Sequence, residues 1–558
     1  MKRDLEKAIA RAVDSLFDQK IEIVLTRPES QFGDYATNVA LQLAKQVQKN
    51  PREVADLLVA QLKSDLADHI QEITIAGPGF INLKLNDAVL LQLTQSQPEQ
   101  SLAGQVVVAE YSDPNPFKVL HAGHLYTSVV GDAIANLLEQ AGGQVHRVNF
   151  GGDVGLHVVK TMWAIVKKLG GENPDKLSEV PEAERSDWMA KAYVIGSQAY
   201  EDDETAKSEI IALNKRVYAL HTENDHDSPF SHIYWTCREW SYAYFDKFYA
   251  QIGIKFEKYY PESQTAPIGL QTVRDHMADG VYEESQGAVI FDGEKYGLHT
   301  RVFINSEGLP TYEAKDVGLS ILKKQDYNFD KSVIITANEQ LQYMTVVIKS
   351  IEQFAPELAQ ATTHLTHGIV KLKGGVKMSS RKGNFLRAVD VLEAASAASQ
   401  KLVGKAEDQT VLGAVKYAFL KNRLGGDIIY DPEESASIEG NSGPYLQYAH
   451  ARARSILRKV PVANLDLATT PEFQPGERTM VQKISEYTEV MDKAVIELMP
   501  HHICSYLYEL AQTFNRFYEQ NRVVGDERES QRLSIVSAYA DTLKSGLKLL
   551  GIDAPEKM

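Results

Sequence analysis

VVVAEYSDPNPFKVLHAGHL, Val106 to Leu125, starts as an apolar β-branched run and breaks at Pro114 and Pro116. It ends on two histidines around a small-residue pair, His121-Ala122-Gly123-His124. The opening run has the length and composition of a buried strand. After His124 the apolar spacing changes: Val130, Ile134, Leu137, Leu138 and Ala141 fall at i, i+4, i+7, i+8 and i+11, one face of a helix. Gly142-Gly143 stops that helix, and VHRVNF follows as a second strand. Strand, loop, helix and strand make a βαβ unit, with a right-handed crossover in a parallel sheet. The paired histidines then sit at the carboxyl edge of an open α/β sheet, where ligands bind.

The common phosphate fingerprints are absent: no G-x-G-x-x-G follows the strand, and G-x-x-x-x-G-K-[ST] does not occur. Imidazoles at a helix N-terminus can donate to phosphate oxygens, and the helix dipole favours the same anion. Gly123 would leave room for a base or ribose. Taken alone, His-x-Gly-His fits equally a histidine that caps the helix beside one that packs. A second stretch, KMSSRKGN from Lys377, lies in a segment without acids between Glu357 and Asp390. That segment carries Lys371, Lys373, Lys377, Arg381, Lys382 and Arg387, with Gly374, Gly375 and Gly383 around the motif. Basic side chains on a glycine-bounded loop suit a triphosphate and its leaving pyrophosphate. By charge alone, the segment is equally a solvated loop.

At 558 residues the chain exceeds one core, and three to four domains are expected. Its 44% hydrophobic and 24% charged residues are those of a globular protein. No apolar run is long enough for a bilayer. The N-terminus mixes acids with bases, and Leu5, Ile9, Ala12, Val13 and Leu16 form a helical stripe there. Cys237 and Cys504 stand far apart with no CxxC, which argues against structural zinc or a disulfide scaffold and points to the cytoplasm. A net charge of -16 disfavours a chain coated in nucleic acid but leaves room for a local RNA footprint.

The two motifs, in this order, resemble the HIGH and KMSKS signatures of class I aminoacyl-tRNA synthetases. Within that class the chain resembles the arginyl-tRNA synthetase family. GDYATNVALQLAKQ from Gly33 and AGPGFINLKL from Ala76 are similar to the family's extra N-terminal domain. EYSDPN before HIGH, YLQYAHARARSILRK from Tyr445 and the terminal LKLLGIDAPEKM carry the likeness further. The resemblance implies an arginine pocket of Glu110, Asn115, His121, Tyr312, Asp316 and Gln340. It implies ATP contacts from His121, Gly123, His124, Lys377, Met378 and Ser379. His121, His124, Lys118, Lys377 and Lys382 are the implied catalytic set. The second lysine of KMSKS is absent, because Ser380 stands there; Lys118, Arg381 or Lys382 would supply that charge. Tyr312 and Asp316, four apart, share a helix face, and a carboxylate with a tyrosine suits a guanidinium. A synthetase for cysteine or methionine is the nearest rival, but those usually carry a cysteine-based zinc site that this chain cannot build. A silent tRNA-binding paralogue is the other, against which the intact HxGH stands.

The expected fold is α/β: a Rossmann-like parallel-sheet catalytic domain over 105–387 with an insertion at about 168–300. A small α/β N-terminal tRNA-binding domain covers 1–100, a helical connecting region 388–439, and an all-α anticodon-binding bundle 440–558. In that bundle Tyr445, Tyr448 and Arg452 fall at i, i+3 and i+7 and would stack or contact tRNA. Arg452, Arg454, Arg458 and Lys459, with no acid among them, would meet its backbone. The implied reaction is ATP-dependent formation of arginyl-adenylate and transfer to tRNA(Arg), with activation requiring tRNA. ATP with Mg²⁺ is the expected cofactor, without a structural metal. Partners are tRNA(Arg), L-arginine and ATP, with neither DNA nor membrane, and the chain is expected to be a monomer.

Overall fold

The computed structural model describes residues 1–373, 386–459 and 472–558. The N-terminal module packs helices Lys2–Phe17, Val39–Val47, Pro51–Asp65 and Asp87–Thr94 with a three-stranded antiparallel sheet. Phe80–Leu85 lies between Tyr35–Thr37 and Ile70–Ala76. Leu5, Ile9, Ala12 and Val13 of the first helix are buried, whereas Leu16 at the end of the stripe is exposed.

The catalytic sheet contains β1 (Val106–Glu110), β2 (Gln144–Gly151), β3 (Lys258–Pro261), β4 (Lys331–Ala337) and β5 (Thr362–His367). All pairings are parallel, in the order β5-β4-β1-β2-β3. The chain builds outward from β1 on one side through β2 and β3, then returns to pair β4 on the other. The topological switch point therefore falls between β1 and β4, and a crevice opens outside their carboxyl ends. Glu110 closes β1 there, opposite Ile334 of β4 and Val148 of β2.

Helix α1 (Ala122–Gln140) follows β1. Its apolar residues exceed the one face its spacing suggests, since Leu125, Tyr126, Val129 and Ala133 are buried too. The cause is a second layer: helices Ala388–Val403, Asp408–Leu420, Tyr487–Glu497 and Glu529–Leu549 pack against α1 in addition to the sheet. Helices α2 (Leu156–Lys168), α3 (Arg185–Asp202), α4 (Glu204–Thr222) and α5 (Pro229–Gln251) come next. The stretch expected as an insertion, 168–300, differs from a single appendage, because β3 and two strands of a small antiparallel sheet also lie inside it. A four-residue edge strand, KYYP, is too short to announce itself by alternation.

Helices α6 (Glu262–Asp275) and α7 (Tyr312–Tyr327) pack backbone to backbone. A Cβ at Gly269 would stand 1.8 Å from the Ala314 carbonyl oxygen, and one at Gly318 would stand 2.1 Å from that of Thr265. The connecting region after Ala388 also holds a strand, Ile428–Tyr430, paired in parallel with Val370–Leu372. The C-terminal helices begin with α8 (Gly443–Leu457). The N-terminal module docks on them through Arg478, which pairs with Asp34 at 2.7 Å and Asp87 at 3.1 Å, and through Arg27 with Glu489 at 2.5 Å. Among the described residues no helix is long and apolar enough to cross a membrane.

Candidate active site

Three non-glycine residues in the loop after β1 take left-handed backbone angles: Ser112, Asp113 and Phe117, at φ 78°, 49° and 65°. Such conformations cost about 1 kcal/mol or more each and persist only where the surroundings over-determine them. Here the neighbours do so. The Phe150 N–H donates to the Asp113 carboxylate at 2.8 Å, the Gly152 N–H to Asn115 Oδ1 at 2.8 Å, and the Phe117 N–H to Ser241 Oγ of α5 at 2.9 Å. Strand β2 and the inserted helices thus fix the loop that delivers His121.

Both histidines cap α1. The Gly123 N–H donates to His121 Nδ1 at 3.1 Å, and the His121 N–H donates to His124 Nδ1 at 3.2 Å. Burial, then the charge of Lys118 and then His367, pushes the His121 imidazole down to about 4. Burial, followed by His121 and Lys118, holds His124 well below its ordinary value. Two neutral rings whose Nδ1 atoms accept must carry their proton on Nε2. Capping and ligand binding therefore do not compete: the caps set the tautomer that leaves Nε2–H as a donor at a helix N-terminus. Gly123 also answers a local need. A Cβ there would stand 2.8 Å from His121 Cε1, so the absent side chain makes space for the His121 ring itself.

At the switch point lies a cavity of about 660 Å³, and its lining brings together Glu110, Asn115, His121, Tyr312, Asp316 and Gln340. Gly123 and His124 line it too. Tyr312 and Gln340 are exposed at the rim, while Glu110 and Asp316 are buried. The sequence did not single out Glu262, which opens α6 at the carboxyl end of β3 and also lines the cavity. Its position past an edge strand was the available signal. Three cavity carboxylates already have cations: Glu110 with Lys323, Glu262 with Lys315 at 2.6 Å, and Glu313 with Arg301 at 3.1 Å. Glu110 thus lines the site with its charge matched from α7, a partner the sequence did not reveal. Asp316 differs. Among the described residues its carboxylate has neither an ion pair nor a hydrogen bond. Burial, with the nearby Glu110 and Glu262 charges, raises its pKa well above the usual carboxylate range. Asp113 and Glu339 also line the cavity without an ion pair, but Asp113 accepts the Phe150 N–H and Glu339 is exposed, so Asp316 is the buried carboxylate there with no partner among the described residues.

Lys118 stands just before this turn, its ammonium over the Tyr193 ring of α3 at 4.5 Å. Lys377, Met378, Ser379, Ser380, Arg381 and Lys382 lie outside the described residues. The chain re-enters beside the histidines, where the Ala122 N–H donates to the Leu386 carbonyl at 2.8 Å and the Ala388 N–H to that of Leu120 at 2.9 Å. Among the described residues no group of three or more His, Cys, Asp or Glu is arranged to hold a metal ion.

On α8, Tyr448 and Arg452 are exposed, and the Arg452 guanidinium lies over the Tyr518 ring at 4.9 Å. Tyr445 is half-buried and its hydroxyl accepts from Asn515 at 2.9 Å. The expected basic run is partly spent within the protein. Arg454 pairs with Asp541 at 2.6 Å, and Arg458 donates to the Glu556 carbonyl at 2.8 Å with the Glu556 carboxylate 3.9 Å away. These partners lie some ninety residues downstream, and the local absence of acids gives no sign of them.

Three family models match the chain. They are an arginyl-tRNA synthetase N-terminal domain over residues 2–85, a class I (R) tRNA synthetase catalytic domain over 86–431, and a DALR anticodon-binding domain over 446–558. An arginine–tRNA ligase of Bdellovibrio bacteriovorus is 30% identical, the alignment covering 99% of this chain and 98% of that one. One from Flavobacterium psychrophilum is 29% identical, over 99% of both. The arginyl-tRNA synthetase structure of Thermus thermophilus superposes with a TM-score of 0.82 at 25% identity, over all of both chains. The catalytic model alone spans more than half the chain, over the same switch-point cleft and paired histidines, and the chain belongs to the class I arginyl-tRNA synthetases.

Proposed function

We propose an assignment of the cleft's residues to the reaction of this family, the ATP-dependent activation of L-arginine and its transfer to tRNA(Arg). The observation that carries it is the pairing, in one cavity, of two Nε2–H imidazoles at a helix N-terminus with a buried carboxylate that lacks a cation. Asp316 takes the guanidinium of arginine, with Tyr312 beside it and Glu262 across the cavity. Asn115, whose Oδ1 is held by the Gly152 N–H, turns its amide NH₂ to the substrate, and Gln340 closes the rim. Glu110 lines the floor and keeps Lys323 neutralised.

In the first step an arginine carboxylate oxygen attacks the α-phosphorus of ATP. The bond to the bridging oxygen breaks and pyrophosphate leaves with that electron pair. His121 and His124 donate to the α-phosphate region through Nε2–H, and Lys118 faces the β- and γ-phosphates. Mg²⁺ enters with ATP as part of the substrate. The protein needs no nucleophile, because positioning and charge stabilisation carry such transfers. In the second step a terminal ribose hydroxyl of tRNA, the 2′ one by analogy with class I, attacks the carbonyl and AMP leaves. We place this work in the cytoplasm, where the substrates meet.

ATP–pyrophosphate exchange tests the assignment. With tRNA present, arginine alone among the amino acids should support exchange, and without tRNA the rate should fall to near background. Exchange driven by another amino acid overturns the pocket; brisk exchange with arginine but no tRNA overturns the tRNA requirement.

The RNA face is assigned to Tyr448 and Arg452, with Tyr445 behind them. A stacked guanidinium or ring is worth about 1–3 kcal/mol per base, so Arg452→Ala should weaken tRNA binding by on the order of tenfold at moderate salt. The KM for arginine should not move. Equal tRNA affinity of variant and parent in a binding assay would place the anticodon elsewhere.

A further inference from the structure

Among the described residues Lys118 makes no ion pair, although its charge is felt by the Glu262 carboxylate. Around the cavity, by contrast, Lys315 is matched by Glu262, Lys323 by Glu110 and Arg301 by Glu313. Its ammonium rests on a ring instead, 4.5 Å from the centroid of Tyr193. That tyrosine belongs to α3, part of the insertion rather than the catalytic sheet.

The seat is rigid. One turn beyond Tyr193, a Cβ at Gly196 would stand 1.9 Å from the Lys160 carbonyl oxygen, so the backbones of α3 and α2 touch. Near its start, Asp187 meets Arg387 at 3.4 Å, the residue bridged to His121. Ser241, which holds the Phe117 N–H, also reaches Met189 of α3. Helix α3 is thus tied to the same loop that carries Lys118.

An aromatic face attracts a cation through its quadrupole and carries no net charge. A carboxylate in the same place would hold the ammonium more tightly but cancel its field. The ring therefore fixes where the ammonium sits without an ion pair, so its charge remains available to an anion.

We propose that Tyr193 is a positioning residue for the activation step, a seat on the insertion that aims Lys118 at the phosphates of ATP without neutralising it. This rests on the assignment of Lys118 to those phosphates. It gives the insertion a part in the chemistry: displacement of α3 by a bound tRNA would move Lys118 with it.

The test is a double-mutant cycle in the full chain, read as ATP–pyrophosphate exchange with arginine and tRNA. Lys118→Ala alone should slow exchange by on the order of tenfold or more. Tyr193→Leu should lower kcat about fivefold, the scale of a lost cation–π contact, with the KM for arginine unchanged. Tyr193→Phe, which keeps the ring, should restore the parental rate. In the Lys118→Ala background Tyr193→Leu should cost nothing further, because the pair acts as one unit. Should Tyr193→Leu not fold, Tyr193→Met replaces it in the cycle. An equal loss from Tyr193→Leu with and without Lys118 overturns the proposal, and so does a Tyr193→Phe as slow as the leucine variant. If Lys118→Ala itself exchanges at the parental rate, the phosphate assignment fails instead. If Lys118→Ala is slow and Tyr193→Leu is not, the assignment stands and the seat falls.

Discussion

Asp316→Asn lowers kcat/KM for arginine by on the order of a hundredfold or more, since a hydrogen bond to a charged group is worth about 1.5–3 kcal/mol and a stranded buried charge costs more. The substitution keeps the size of the side chain but replaces one acceptor oxygen with an NH₂ donor. That donor would face the guanidinium's own donors. The KM for ATP should change little, because the phosphates meet the histidines and Lys118 rather than Asp316. Discrimination against uncharged citrulline should also fall.

The same residue predicts a pH dependence of determinate sign. In the unliganded protein burial raises the Asp316 pKa, so its ionised form is penalised on folding. The stability of a group with a raised folded pKa is fully present below its unfolded value and is lost as the pH rises through the folded one. Asp316→Asn should therefore melt at or above the parental temperature, with the gap widening as the medium becomes more alkaline. Arginine favours the ionised form, so its KM should fall as the pH rises through the raised value, and this slope should vanish in the variant. Parental kcat/KM for arginine in the variant would make Asp316 an ordinary buried acid, and a melting difference that does not widen with pH would mean that burial does not penalise its ionised form.

The sequence made the βαβ unit legible because strand and helix differ in apolar period, and that period survives any tertiary context. It pointed by resemblance to six residues for an arginine pocket, and all six line one cavity. What it could not show is non-local. Lys323 lies 213 residues from Glu110 and reaches it from a helix on the far side of the sheet's switch point. Glu262 follows a four-residue strand whose aromatic pair gives no alternation to read. That the caps of His121 and His124 leave Nε2–H as a donor was invisible for a different reason. Cap and ligand site look like competing explanations in one dimension, and only the orientation of each Nδ1 makes them one arrangement. The partners of Arg454 and Arg458 were equally out of reach, because they come from the far end of the chain.

Gly269→Ala should be among the most damaging single-methyl changes in the catalytic half. In a free helix the replacement would stabilise by about 1 kcal/mol, since alanine is the better helix former. Here the new Cβ would stand 1.8 Å from the Ala314 carbonyl oxygen and 2.6 Å from its carbon. Both are backbone atoms, so no rotamer change relieves the clash, and α6 and α7 must part. Overpacking of that kind costs typically about 1–3 kcal/mol, which outweighs the propensity gain and lowers the melting temperature. The larger effect should be functional. Helix α6 begins with Glu262, while α7 begins with Tyr312 and carries Asp316 one turn on, so these two packed helices together line the cavity proposed above for arginine. The 2.6 Å contact of Lys315 with Glu262 spans them. A displacement of about 1 Å between catalytic or binding groups can cost a hundredfold, so kcat/KM for arginine should fall by one to two orders of magnitude. ATP binding should suffer less, because His121 and His124 sit at the start of α1, outside the α6–α7 contact. Gly426→Ala is the matched control: a Cβ there meets nothing within 4 Å, and stability should stay within about 0.5 kcal/mol of parental. A Gly269→Ala protein that melts no lower than the parent and keeps its arginine kinetics would mean that α6 and α7 slide apart freely. The pocket's width would then have to be set by the Lys315–Glu262 pair rather than by backbone contact.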